Sequence, residues 1–170
     1  LTTATATLSY TCTNSNKNKY SATLCFSIGE PGGAQTNPRL MLSGTNTLPF
    51  QLYQDPGLSS VWGSQFFGSF LTPLKVNITL VGKGTTGAQT ATMYGQIPNG
   101  QTSALPTGTS YKDNYQNGDT ALTINEAAGS TAPGSCGSTQ PAVYFPFLVS
   151  ATVVPQCQVN APPADLNLGT

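Results

Sequence analysis

Tyr20-Ser21-Ala22-Thr23-Leu24-Cys25-Phe26-Ser27-Ile28 places Tyr20, Ala22, Leu24, Phe26 and Ile28 at every second position. That is the period of a half-buried β-strand, whose side chains point alternately to the two faces of a sheet. Residues 3–11 repeat the pattern, with Ala4, Ala6, Leu8 and Tyr10 on one face. Further strand candidates lie at residues 48–53, 74–81, 91–94, 121–125 and 144–153. Helical periodicity is almost absent.

Spacers rich in turn formers separate these runs, at residues 14–19, 29–37, 82–89, 98–108 and 129–140. The 18 glycines and 13 prolines fall mostly within them, where tight turns need such residues. Short strands punctuated in this way predict an all-β, antiparallel sandwich or barrel. No internal repeat occurs at a fixed period. The one shift in composition is at residues 127–140, a small-residue stretch that reads as a linker into a fresh strand at Tyr144. A length of 170 residues suits one domain, or one domain with a fragment of another.

Charge is scarce. Asp, Glu, Lys and Arg make up 7% of the chain, against about 25% in an ordinary soluble domain. The six acids and six bases cancel, which leaves no electrostatic footprint for nucleic acid or an anionic membrane. No apolar run approaches the roughly 20 residues that span a bilayer, so membrane insertion is not expected. The chain opens at Leu1 without a methionine or signal peptide and reads as a processed or excised segment.

The four cysteines are Cys12, Cys25, Cys136 and Cys157. None forms a CxxC pair and the chain has no histidine, so neither a metal site nor a cofactor is expected. Four scattered cysteines in a charge-poor chain read as two disulfides formed in an oxidising compartment, with three pairings open. The lack of histidine also removes Ser-His-Asp and Cys-His catalysis. Glu30, Asp55, Asp113, Asp119, Glu126 and Asp165 each stand near turn residues, where a carboxylate serves nearby backbone amides. No catalytic residues are assigned, and an enzyme is not expected.

Four segments together resemble the spore coat protein U family, which includes subunits of archaic (Csu-type) chaperone–usher pili. They are Ala6-Thr7-Leu8-Ser9-Tyr10-Thr11-Cys12-Thr13; Leu48-Pro49-Phe50-Gln51-Leu52-Tyr53-Gln54-Asp55 with Val61-Trp62-Gly63; Met93-Tyr94-Gly95-Gln96-Ile97-Pro98-Asn99-Gly100-Gln101 with Gly108, Tyr111 and Asp113; and the run from Phe147 to Val159 with Leu166-Asn167-Leu168-Gly169-Thr170. In the family a segment like the last one begins each domain, whereas here it comes last. The resemblance therefore implies two units. Residues 1–140 would be an amino-terminal adhesin domain without its first strand. Residues 141–170 would be a linker and the first strand region of a pilin-like domain, or a strand completing the first.

The same resemblance implies an immunoglobulin-like antiparallel β-sandwich stapled by disulfides, closest to the amino-terminal domain of the two-domain tip adhesins. It pairs Cys25 with Cys136 and joins Cys12 to a cysteine of the missing first strand, a role open to Cys157 if the last segment folds back or is exchanged between chains. The implied partners are a periplasmic pilus chaperone and usher, a neighbouring pilus subunit joined by strand exchange, and an abiotic or host surface. The implied place is the pilus tip, outside the cell, after export through the periplasm.

Adhesion to such a surface calls for apolar side chains on loops, since their burial yields about 25 cal/mol per Å². Residues 63–74 carry Phe66, Phe67, Phe70 and Leu71, and residues 102–110 carry Ala104, Leu105 and Pro106. A strand over residues 65–71 would instead place Phe67 and Phe70 in the core, and that plainer reading is preferred for the first loop. Trp62 and Tyr94 read as core. A structural pilus-shaft or spore-coat subunit and a glycan-binding adhesin are the two alternatives to a tip adhesin.

Overall fold

A computed structural model describes residues 2–33, 36–66, 68–100, 105–138 and 143–154. Among them lie eleven strands: β1 (Thr2–Tyr10), β2 (Thr13–Asn14), β3 (Tyr20–Ile28), β4 (Arg39–Ser43), β5 (Asn46–Tyr53), β6 (Leu74–Leu80), β7 (Gly84–Thr85), β8 (Gln89–Ile97), β9 (Ser110–Tyr115), β10 (Thr120–Ala128) and β11 (Phe147–Thr152). They form a six-stranded sheet in the order β1-β8-β5-β4-β9-β11, a three-stranded sheet β10-β3-β6, and the short pair β2-β7. The fold is all-β. No described helix is long and apolar enough to cross a membrane.

The alternation in β3 determines what the two larger sheets enclose. Ala22, Leu24, Phe26 and Ile28 pack with Met41, Leu48, Phe50, Leu52, Met93, Tyr111 and Tyr115 of the six-stranded sheet. Trp62, completely buried, closes this core and donates from its indole nitrogen to the Phe26 carbonyl at 2.7 Å. A buried indole N–H needs such an acceptor. Tyr94 instead pairs with Thr5 on the face opposite Ala6 and Met93, and is half-buried. It is not a core residue, because the pleat turns neighbouring positions to opposite faces.

The other face of β3 is also covered. Ser21, Thr23, Cys25 and Ser27 are all buried. The small-residue stretch after β10 lies across them. The Ser21 hydroxyl donates to Gly129 O at 2.9 Å, Thr23 Oγ1 donates to Pro133 O, and the Ser27 hydroxyl accepts from the Gln65 amide. A disulfide joins Cys25 to Cys136, as the resemblance implied, with Cα atoms 5.6 Å apart. Small hydroxyl side chains let this strap approach closely and satisfy its carbonyls, which would be costly to bury unpaired.

Strands β4 and β9 lie outside the sequence-based expectations, for a physical reason. Each carries a charged residue on an apolar face: Arg39 precedes Met41, and Asp113 stands between Tyr111 and Tyr115. The charge interrupts the pattern that marks a strand. Asp113 accordingly sits within β9 rather than in a turn, whereas Asp55 accepts from the Ser60 and Ser59 amides and Asp119 from the Gln116 amide, as turn residues do.

Replacing Cys25 and Cys136 together by Ser should lower unfolding stability by about 3–5 kcal/mol in urea titration, since the bridge closes a loop with a sequence separation of 111. Thr23→Val should cost about 1–2 kcal/mol in the same assay, because it removes the hydroxyl whose one proton Pro133 O and Asn77 Oδ1 share.

Candidate binding surfaces

The loop between β5 and β6 is held in place at its base. Gly63 N donates to Thr72 O at 2.9 Å and Ser64 N to Phe70 O at 3.0 Å, which closes residues 64–70 into a protrusion. Gly63 is required here, since a Cβ would collide with the Phe70 backbone. Gln65 N donates to Ser27 Oγ, which ties the protrusion to β3. The buried Glu30 carboxylate accepts from Ser69 N at 3.3 Å on one oxygen, and from the Thr36 amide and hydroxyl on the other. A hydrogen-bonded carboxylate thus clamps two loops together.

On this protrusion Phe66 is 43% and Leu71 66% exposed, and Phe70 is half-buried. No strand forms over the described residues between Gln65 and Leu71, so the expectation of a strand there fails. The chain is drawn back on itself by the Ser64–Phe70 contact instead of extending along a sheet edge. Phe67 lies outside the described residues.

The second loop is placed elsewhere, between the Ile97 end of β8 and Ser110 at the start of β9. Ala104 lies outside the described residues. Leu105 packs against the core, Pro106 is exposed, and Gly108 N donates to Val153 O at 2.7 Å. The two loops are therefore anchored at different strand ends.

Two surfaces had no clear signal in the sequence. One is a groove between β1 and β11, the two edges of the six-stranded sheet. Cavities of about 220 and 620 Å³ line it, with Ala4 and Gly95 on one side, residues 149 and 150 on the other, and Met41, Phe50, Leu52 and Met93 at its floor. Sheet curvature creates this groove, and curvature is not encoded by local periodicity. β1 runs nine residues without a charge along its edge, so its outer backbone groups are available to another strand. The other surface is a cavity of about 410 Å³ with Tyr10, Leu24, Ile78 and Leu122 on its walls and Cys12 and Glu126 beside them. Burial pushes the Cys12 thiol up, and it has no disulfide partner among the described residues. Cys157 lies outside them.

Arg39 is buried at the base of the first loop, and Asp113 on β9 is half-buried. The Arg39 guanidinium donates to Gln51 Oε1, to Ile28 O at 3.1 Å, and to Trp62 O at 2.8 Å. It thereby joins the end of β3, β5 and the start of the protrusion. Burial pushes the Asp113 carboxyl up to about 6, against the opposing pull of Tyr115 and Arg39. Burial likewise pushes the Tyr115 phenol up.

No group of three or more His, Cys, Asp or Glu side chains suited to a metal occurs among the described residues. No curated protein and no solved structure matches the chain. The Spore Coat Protein U domain matches residues 1–116, from β1 through β9, and that span is well over half of the sequence. With its all-β fold and single described disulfide, the chain belongs to the spore coat protein U domain family, whose domain is structural and not catalytic.

Proposed function

We propose that this chain is the amino-terminal part of a pilus tip subunit that attaches to surfaces through apolar side chains on its first loop and supports biofilm formation. The observation that carries the reading is the anchored protrusion at residues 63–72. It presents Phe66 and Leu71 to solvent while Glu30, Ser27 and Arg39 hold its base. A rigid loop loses little conformational entropy on contact, so most of the gain from burying its apolar area is retained. Burying a Phe and a Leu against a surface is worth about 1.5–3 kcal/mol each. The scarcity of charge lowers the desolvation cost of approaching an apolar surface.

In this reading the two larger sheets are the layers of an immunoglobulin-like sandwich. Export runs through the periplasm with a chaperone and usher, and the subunit joins its neighbour by strand exchange. Residues 1–140 form the adhesin domain. Residues 141–170 form the linker and first strand region of a pilin-like domain, although the pairing of β11 with β9 favours the variant in which this strand completes the first domain. The groove between β1 and β11 also supports a second reading, a structural shaft or coat subunit assembled by an inserted strand.

Cells bearing assembled pili in which Phe66 and Leu71 are both replaced by Ser should lose at least tenfold in attachment to plastic, with pilus number unchanged by electron microscopy. Full attachment with normal pili would move the assignment to the structural subunit.

A further inference from the structure

β11 is an edge strand held on one side only, by six residue pairs with β9. Phe147, Val149 and Ala151 face the core from it, as does Val153 just beyond, and Phe147 stacks on Tyr115 with ring centroids 4.4 Å apart. Within this apolar seat Asp113 is paired with Val149 and flanked on its own face by the fully buried Tyr111 and Tyr115. β11 brings no charged or titratable side chain to that face. The groups that act on Asp113 come from elsewhere: Tyr115 on its own strand, Arg39 on β4, Asp119 in the turn before β10, and Glu30 after β3. Arg39 spends its described hydrogen bonds on Gln51 and backbone carbonyls, and its Nε has no partner. It makes no direct bond to Asp113 among those described.

We propose that residues 147–154 form a pH-dependent clasp, seated on β9 when Asp113 is neutral and loosened when Asp113 is ionised. An ionised carboxylate opposite Val149 needs water, and lifting β11 from the edge admits it. The rest of the fold stays in place, because the strap is pinned to β3 through Cys136, and ahead of the clasp Val143 is bridged to Leu122 and Phe145 N donates to Thr120 Oγ1.

The sign follows from linkage. Asp113 binds its proton more tightly in the closed seat, with a midpoint raised from 3.8 to about 6. Its contribution to closure is therefore complete below about 4, declines as pH rises through about 6, and changes no further above that. The full displacement changes the open-to-closed ratio by about 100-fold over the whole range, and about tenfold of that lies above pH 5.

Hydrogen–deuterium exchange of peptides covering residues 147–154, corrected for the intrinsic pH dependence, tests the clasp. Between pH 5 and 7.5 the opening should rise about tenfold in the wild-type chain and stay flat in Asp113→Asn. A second variant carries Lys112→Cys and Ser150→Cys at a paired position, which cross-links β9 to β11. Oxidised, it should lose the pH dependence, which the single variants Lys112→Cys and Ser150→Cys should keep. Equal pH dependence in wild type and Asp113→Asn, or its persistence in the oxidised cross-linked chain, would overturn the proposal. So would exchange of these residues that does not vary with pH in the wild type.

Discussion

A strand buried on both faces must be covered twice by the rest of the chain. β3 imposes that demand here, since every residue from Ser21 to Ile28 is buried. On the inner face the demand is met by apolar packing, which is non-directional and scales with area. The outer face depends on paired hydrogen bonds between its hydroxyls and the strap, and a single unmatched group there would cost about 1–3 kcal/mol. The strap, the disulfide and the first turn of the exposed loop all meet on this one face. The central strand thus positions both the scaffold and the surface presented to solvent.

Much of this was legible in the residues. The period of two marks β1 and β3 directly, and turn formers bound most other strands where the structure ends them. Legibility failed where a polar side chain sits on an inward face. Arg39 and Asp113 hid β4 and β9, because a periodicity reading treats a charge as a sign of solvent. Arg39 is accommodated only by partners remote in sequence, such as Ile28 O and Trp62 O. The small residues after Ala128 showed a break in composition but not its use, since a strap lying on a sheet has no local period. Of the apolar loop residues, Phe66 and Leu71 are exposed, whereas Leu105 packs against the core. The difference comes from how each loop is tethered, which no single stretch of sequence encodes.

The matched family segment ends at residue 116, yet the fold does not. β10 supplies one edge of the three-stranded sheet, the strap covers its outer face, and β11 adds an edge to the six-stranded sheet. A nearly uncharged surface leaves attraction to apolar matter and exposed backbone edges as the main routes to partners. The protrusion and the β1–β11 groove offer one of each, on a single frame held from the centre outward.

The dependence of that frame on its last quarter can be measured by urea unfolding of the full chain against a chain ended after Ala128. In the shortened chain Cys25 and Thr23 lose the strap on the outer face, and the six-stranded sheet loses β11. The shortened chain should show no cooperative transition, or one at a much lower urea concentration. A transition with the same midpoint and slope as the full chain would contradict the account, because β3 would then be stable with its outer face bare.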